Sequence, residues 1–270
     1  MQKNTLKYSA LVFGRRELRH HGRHGENRLQ DGFTWSQAVA SQALFGVACS
    51  PPWPPSPAGR RPVALSARRA GSLLGLGLCS CTTAVLYNFA LTMLPVSAAI
   101  TLLFQFTWIG IVIQVATTRR RPHGAEVAAA AVILGGTLLA SGLFSDAVGD
   151  LDPLGVACAL LSALSCATFM FLSGRIGNDL PPMERGLVVC LGACILGFAV
   201  CPDYFASGAL QDGIWKYGLV LGAFGLLVPV VLFGIGTPHL SPGLSTIMAS
   251  SELPCGIAIS MLVLAEPVDA

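Results

Sequence analysis

Residues 245–264 read STIMASSELPCGIAISMLVL, twenty residues interrupted by one acid, Glu252, and one proline, Pro254, near the middle. A helix of this length rises ~30 Å, the thickness of a bilayer's hydrocarbon core. Read as a membrane span, the stretch holds a carboxylate at mid-depth, so the rest of the chain decides whether a membrane is the right solvent.

Composition answers in favour of the membrane. The chain has 270 residues, 53% hydrophobic and only 11% charged, against about 25% charged in soluble domains. From residue 71 onward, apolar runs of spanning length alternate with short polar breaks, which predicts seven helices near 71–93, 96–117, 125–144, 153–174, 185–201, 214–236 and 243–265. Only internally hydrogen-bonded segments cross lipid, so the fold class expected is an all-α polytopic membrane protein.

The breaks orient the spans. Arg60, Arg61, Arg68 and Arg69 precede the first span, Arg119, Arg120 and Arg121 follow the second, and Arg175 and Arg185 flank the connection from fourth to fifth. These are alternate loops, and the positive-inside rule assigns them to the cytoplasm of a multi-pass plasma-membrane protein, an inner membrane in a bacterium. The intervening loop carries Asp146, Asp150 and Asp152 and no base. Tyr204, Trp215 and Tyr217 fall in or beside the outer loop between the fifth and sixth spans, where aromatic rings suit the membrane interface.

Residues 1–70 differ from the remainder. They hold 11 Lys/Arg against 3 Asp/Glu, whereas residues 71–270 hold 6 against 11. The basic run from Arg15 to His24 and the proline-rich run from Pro51 to Pro57 predict a solvated, disordered region and no nucleic-acid partner. Within it, residues 33–50 carry no charge and read as a helix remnant. Spanning there would put the basic tail outside, so the remnant is expected to lie apart from the bundle. The domain reading is therefore 1–70 as a basic amino-terminal region, 71–144 as three helices and 153–270 as four.

Most of the nine cysteines (Cys79, Cys81, Cys158, Cys166, Cys190, Cys194 and Cys255 among them) sit inside apolar runs and read as small hydrophobes. Cys190 and Cys194 share a helix face without a third ligand at metal spacing, so neither metal nor cofactor is expected.

Laid over one another at an offset of 147, the second and seventh spans match Pro95 to Pro242, Ile100 to Ile247 and Gln105 to Glu252. The two spans cross in opposite directions, as the halves of an inverted repeat do. Gln105 and Glu252 each lie ten residues past their proline, ~15 Å into the membrane. A carboxylate at that depth costs ~2.5–3.5 kcal/mol even on insertion scales, and no Lys or Arg lies deep in any span to balance it. Either Glu252 is protonated or a cation from outside the chain neutralises it, and a site that alternates between the two is a proton- or cation-coupled site. The plainer reading is a permanently protonated Glu252 bonded to Ser250, Ser251 or a neighbouring helix. Pro254 would free the Ser250 carbonyl, breaking the helix at mid-depth, or serve as a packing kink.

Thr101, Gln105 and Trp108 share a helical stripe and would line the pathway, Trp108 stacking on an apolar or cationic substrate. Gln105 as interhelical glue and Trp108 as bulk is the structural alternative. Tyr87 and Asn88, nearer the outer end of the first span, carry the same pair of readings. Gly135, Gly136, Ser141 and Gly142 predict close helix packing in the third span.

With these residues in view, residues 71–270 resemble the EamA branch of the drug/metabolite transporter superfamily, especially its multidrug-resistance efflux members. The resemblance rests on Tyr87–Leu91 (YNFAL) followed by Leu94–Ala99 (LPVSAA), on Leu102–Gly110 (LLFQFTWIG), on Ser251–Pro254 (SELP) and on Leu264–Pro267 (LAEP). It implies a ten-helix transporter of two inverted five-helix repeats, with the seven spans standing as helices three to nine. Residues 33–46 then look like the opening of the second helix, and the turn to Pro and Arg before Gly71 is what a reading-frame disruption produces.

The function expected is secondary transport of a small organic metabolite or drug-like compound by proton-coupled efflux, with the lipid bilayer, the small-molecule substrate and protons as partners. A truncated, non-transporting membrane protein or scaffold is the alternative, and assembly of two chains as a homo-oligomer is left open. No G-x-x-x-x-G-K-[ST] loop supports ATP coupling. An intramembrane serine hydrolase built on His239 and Ser245 is disfavoured, because Gly243–Ile247 (GLSTI) lacks the second glycine of a nucleophile elbow.

Overall fold

A computed structural model describes residues 33–50, 66–119, 122–140 and 151–250. They form α1 (Trp35–Ala48), α2 (Ala67–Ala90), α3 (Val96–Leu103), α4 (Phe106–Thr118), α5 (Gly124–Ala140), α6 (Pro153–Ser173), α7 (Pro182–Val200), α8 (Ile214–Gly222), a π turn (Ala223–Leu227), α9 (Val228–Gly236), a 3-10 turn (Thr237–His239) and α10 (Pro242–Ala249). No strand forms among the described residues. Five stretches are long and apolar enough to cross a membrane: Ala67–Ala90, Ala98–Thr118, Pro153–Ser173, Pro182–Val200 and Ile214–His239. α5 is a shorter apolar helix, and α10 runs to the edge of the described residues. The chain is an all-α polytopic membrane protein.

Helix starts fall where the sequence supplies caps. Asp152 Oδ1 accepts the N–H groups of Leu154 and Gly155 at the start of α6, with Pro153 in the first turn where its missing N–H costs nothing. Ser66 caps α2 and Ser241 caps α10 in the same manner. The Ser66 cap starts α2 four residues before the apolar run, so Arg68 and Arg69 belong to its first turn.

Alternate loops gather at opposite ends. Arg69 pairs with Asp179 at 2.9 Å, joining the start of α2 to the α6–α7 connection. At the other end Gly155 abuts Met93 and Leu94, and Trp35 meets Phe89 edge-on at 6.2 Å. The positive-inside expectation would make the arginine-bearing end the cytoplasmic one and the opposite end the outer one.

The core lies where α2 crosses α7 and α6. Gly77 sits against the Val189 carbonyl and Gly192 against that of Leu74, so the two backbones touch. Leu73, Leu76, Ala163, Ala167, Val189 and Ala193 fill the surrounding space. Cys81, Cys158 and Cys190 are buried free thiols, packed as the small hydrophobes expected; Cys255 lies outside the described residues. Gly135 and Gly136, expected at a close contact, meet none of the described residues, and the tight crossings among these use other glycines.

Residues 33–50 correct the sequence reading. Instead of lying apart, α1 packs against α7 and α8, with Val39, Ala40, Ser41, Ala43 and Gly46 buried. Its small residues mate with glycines: Gly197 with Ala40 and Ala43, Gly218 with Ser41 and Phe45, Gly222 with Gly46. Such small-residue packing lets backbones approach in lipid, a force that charge counting in the flanks does not register. Thr34 and Gln37 form a reciprocal capping box at its start. Phe33 lies at the outer end against Tyr217, and Gly46 faces Cys190, near the middle of α7. The loop 201–213 folds over this end through Tyr204 and Ala209, with Tyr204 against Phe198 of α7. Burial holds the Tyr204 phenol above its ordinary value, with the nearby Ser41 hydroxyl opposing the shift, although their contact falls short of hydrogen-bond geometry.

The second expected span is broken. Gln105 N–H bonds back to Leu102 O and Thr107 N–H to Phe104 O, tightening the ladder between α3 and α4. Thr107 Oγ1 also donates to Phe104 O, and side chains that enter the ladder in this way are a recognised cause of helix breaks. The sixth span is likewise interrupted by the π turn before Pro229, whose missing N–H and ring bulk favour a widened turn.

Candidate functional site

The break between α3 and α4 brings three of the expected site residues together. Gln105 Nε2 donates to Thr101 O at 3.1 Å, and Trp108 Nε1 donates to Gln105 Oε1 at 2.7 Å. Thr101 is buried and Trp108 is 43% exposed, so the chain of bonds runs from the interior to a surface cleft. That cleft, about 260 Å³, is walled by Ile111 and Val112 of α4 and by Val127, Ala130 and Leu134 of α5. With the indole N–H and the Gln105 amide turned toward each other, the cleft presents an aromatic face and aliphatic walls. It suits apolar or delocalised cationic groups.

Tyr87 and Asn88 are placed differently. Tyr87 packs in the outer apolar cluster beside Leu94, Ala99 and Ala159. Asn88 Nδ2 donates to Ala84 O at 2.8 Å, turning its amide along its own helix. Glu252 and Pro254 lie outside the described residues.

A polar seam that sequence reasoning missed runs between α4 and α10. Thr107, Gly110 and Gln114 recur at i, i+3 and i+7 on α4, and Gly243, Thr246 and Ser250 recur at the same spacing on and just after α10. The shared spacing of small and polar residues is the signal that could have found it. Gly243 N–H donates to Gln114 Oε1 at 2.6 Å, Thr246 Oγ1 reaches Thr107 O at 3.3 Å, and the Thr107 and Ser250 hydroxyls stand 2.9 Å apart. Thr246 also presses on Gly110, where any side chain would collide. The order of these pairs makes the helices antiparallel.

Two hydroxyl protons serve three short contacts at the deep end of the seam. Thr107 Oγ1 donates to Phe104 O and Ser250 Oγ to Thr246 O, each at 2.9 Å, while the two oxygens also face one another. Only two of the three bonds hold a proton at once, so this end accepts a further donor. At the arginine-bearing end the seam continues onto α5: Ser241 Oγ donates to Glu126 Oε1 at 2.6 Å and accepts the Leu244 N–H, so Glu126 orients the cap of α10. At ~0.6 kcal/mol per interhelical bond in lipid, these contacts set register without locking it.

Ser245 and His239, weighed as a hydrolase pair, are engaged elsewhere. Ser245 Oγ donates to Ser241 O at 3.1 Å and is buried, whereas His239 is exposed on the 3-10 turn. Among the described residues no group of three or more His, Cys, Asp or Glu could hold a metal ion.

A crystal structure described only as that of a protein is similar to this chain, with a TM-score of 0.58 at 18% identity, over 87% of this chain and 79% of the other. At that identity the likeness shows the fold alone. No curated protein matches the chain. From the first residue of α6 onward, residues 153–270 match the EamA-like transporter family; this match, over less than half of the chain, and the five apolar helices of spanning length support a membrane transporter-like protein.

Proposed function

We propose that the chain is a secondary transporter of small organic metabolites or drug-like compounds, lipophilic cations foremost, that couples efflux across the plasma membrane to proton entry through Glu252. The observation that carries this reading is the polar seam between α4 and α10, which ends at Ser250. Glu252 follows Ser250 by two residues in the sequence, at most ~7 Å of extended chain. A desolvated carboxylate there exchanges a proton for a cation, because each neutralises it at mid-depth. Gln105 occupies the matching position of the opposite helix and stands at a helix break. Thr101, Gln105 and Trp108 line the route, with the indole face taking the apolar or cationic part of the substrate.

Inverted repeats related through these two helices support alternating access, since each half then supplies one broken or proline-led helix to the midplane. Pro95 precedes the first residue of α3, and α10 begins at Pro242. The first half is taken as residues 71–144 and the second as 153–270.

Purified chain in proteoliposomes with an imposed pH gradient tests the proposal, with tetraphenylphosphonium as the probe. The gradient drives accumulation by the unaltered chain, and Glu252→Gln removes it at equal protein level. Undiminished gradient-driven accumulation in the Gln variant removes Glu252 from the mechanism. Failure of the unaltered chain to move any lipophilic cation favours the non-transporting membrane protein.

A further inference from the structure

The hydrogen bonds between α10 and the α4–α5 pair are concentrated toward one end of the molecule. Gln114 and Glu126 belong to α4 and α5; Ser241 and Gly243 belong to the start of α10. Glu126 Oε1 holds the Ser241 hydroxyl at 2.6 Å, and Gln114 Oε1 holds the Gly243 N–H at 2.6 Å. Between them these two acceptors control the cap residue of α10 and the first turn that follows it. Deeper in, Gly110 admits Thr246 by having no side chain, and the Thr107 and Ser250 hydroxyls close the seam. An apolar contact would serve helix packing equally well. Here the bonding groups are neutral apart from Glu126, and the deeper hydroxyls have carbonyls of their own helices as alternative partners. Ser250 retains Thr246 O, Thr107 retains Phe104 O, Thr246 retains Gly243 O, and Glu126 Oε2 lies 3.3 Å from the His123 N–H. A seam whose members stay satisfied after separation opens at low cost.

We propose that Gln114 and Glu126 form a two-point latch that closes the cytoplasmic ends of α4, α5 and α10, and that this latch opens and recloses as the seam parts. The proposal rests on the transport reading for its purpose, since a moving seam at the cytoplasmic end gives the deep site access to that side. Gln114 and Glu126 act as positioning residues, holding α10 without touching substrate.

The test uses the full chain in lipid vesicles carrying Thr246→Cys, a position 1% exposed in the closed seam. A water-soluble maleimide is applied from the cytoplasmic side, and labelling is read by mass spectrometry on the peptide that contains position 246. A working latch gives slow labelling, and adding Gln114→Ala and Glu126→Ala raises the rate about eightfold, as loss of two interhelical bonds predicts. A second variant guards against loosening of the whole fold. In Thr107→Cys/Ser250→Cys the sulfurs replace oxygens 2.9 Å apart, within reach of a disulfide. Oxidising it stops tetraphenylphosphonium transport, and a reductant restores it. Equal labelling rates with and without the latch residues, or transport indifferent to the cross-link, overturns the latch. Labelling needs no substrate, so a chain that moves no cation fails the transport reading while the labelling rates still decide the seam.

Discussion

Arg185 brings a full positive charge into a place where it is 1% exposed. Its Nε donates to Ile176 O at 3.0 Å, and its Nη2 donates to Ser173 O at 2.8 Å and Ser173 Oγ at 2.9 Å. Nη1 points toward Val230 O at 3.5 Å, and Gly234 makes room for it by lacking a side chain. Among the described residues Arg185 makes no ion pair. Its nearest partners are instead the Ser173 and Ile176 carbonyls and the Ser173 hydroxyl, at and just past the carboxy-terminal end of α6, where the helix dipole is negative and the last C=O groups lack intrahelical donors. The sequence revealed Arg185 as a cation flanking a loop, which it is, but the inward fold of its side chain depends on the Gly234 gap in a helix 49 positions away. Arg185→Lys keeps the charge yet cannot fork to three acceptors. It should destabilise the protein by about 1–3 kcal/mol, the cost of stranding buried acceptors, and lower the thermal midpoint in detergent. An unchanged midpoint would mean that water reaches those carbonyls. Gln105 teaches the same lesson. An amide in an apolar span marks the site, but its bonds to Thr101 O and Trp108 follow from a helix break that no proline announces.

At the scale of the element, hydropathy located the spans because length and apolarity are what lipid demands. The observed boundaries of α2, α6 and α7 lie within a few residues of the expected ones. What hydropathy leaves out is which glycines matter. Gly135 and Gly136 look like a packing pair and meet none of the described residues, whereas Gly77 and Gly192 bring α2 and α7 into backbone contact. The same blindness kept α1 out of the expected bundle, for Ala40, Ala43 and Gly46 are unremarkable until Gly197, Gly218 and Gly222 stand opposite them. These contrasts set opposite outcomes for one substitution. Gly77→Ala should cost about 1–3 kcal/mol through overpacking and reduce the folded fraction recovered from membranes. Gly136→Ala should be neutral or stabilise α5 by up to about 1 kcal/mol through helix propensity. Size-exclusion profiles and thermal midpoints of the two variants read the difference, and equal loss in both would count against the α2–α7 contact.

For the molecule as a whole, sidedness organises the argument: the latch is cytoplasmic, and the deep seam reaches the other side, only if the arginine-bearing end faces the cytoplasm. The structure places Arg69 beside Asp179 at one end and Phe33, Tyr204 and Tyr217 at the other, so a single assignment orients every loop. Lys216 gives a direct reading of it. The chain has three lysines, Lys3, Lys7 and Lys216, so in the loops after residue 70 Lys216 is the sole target for an amine reagent. It is exposed at the start of α8, beside the Trp215 ring at 5.7 Å. Positive-inside bias counts clusters, and one lysine against Arg119, Arg120, Arg121 and Arg175 does not reverse it. A membrane-impermeant succinimidyl ester applied to intact cells should therefore modify the peptide containing Lys216, and the same reagent applied to the lumen-excluded face of inverted vesicles should leave it unmodified. Modification only in inverted vesicles would turn the molecule over. The Gln114 and Glu126 contacts would then close the outer side, and the proposed route would be gated from the opposite compartment.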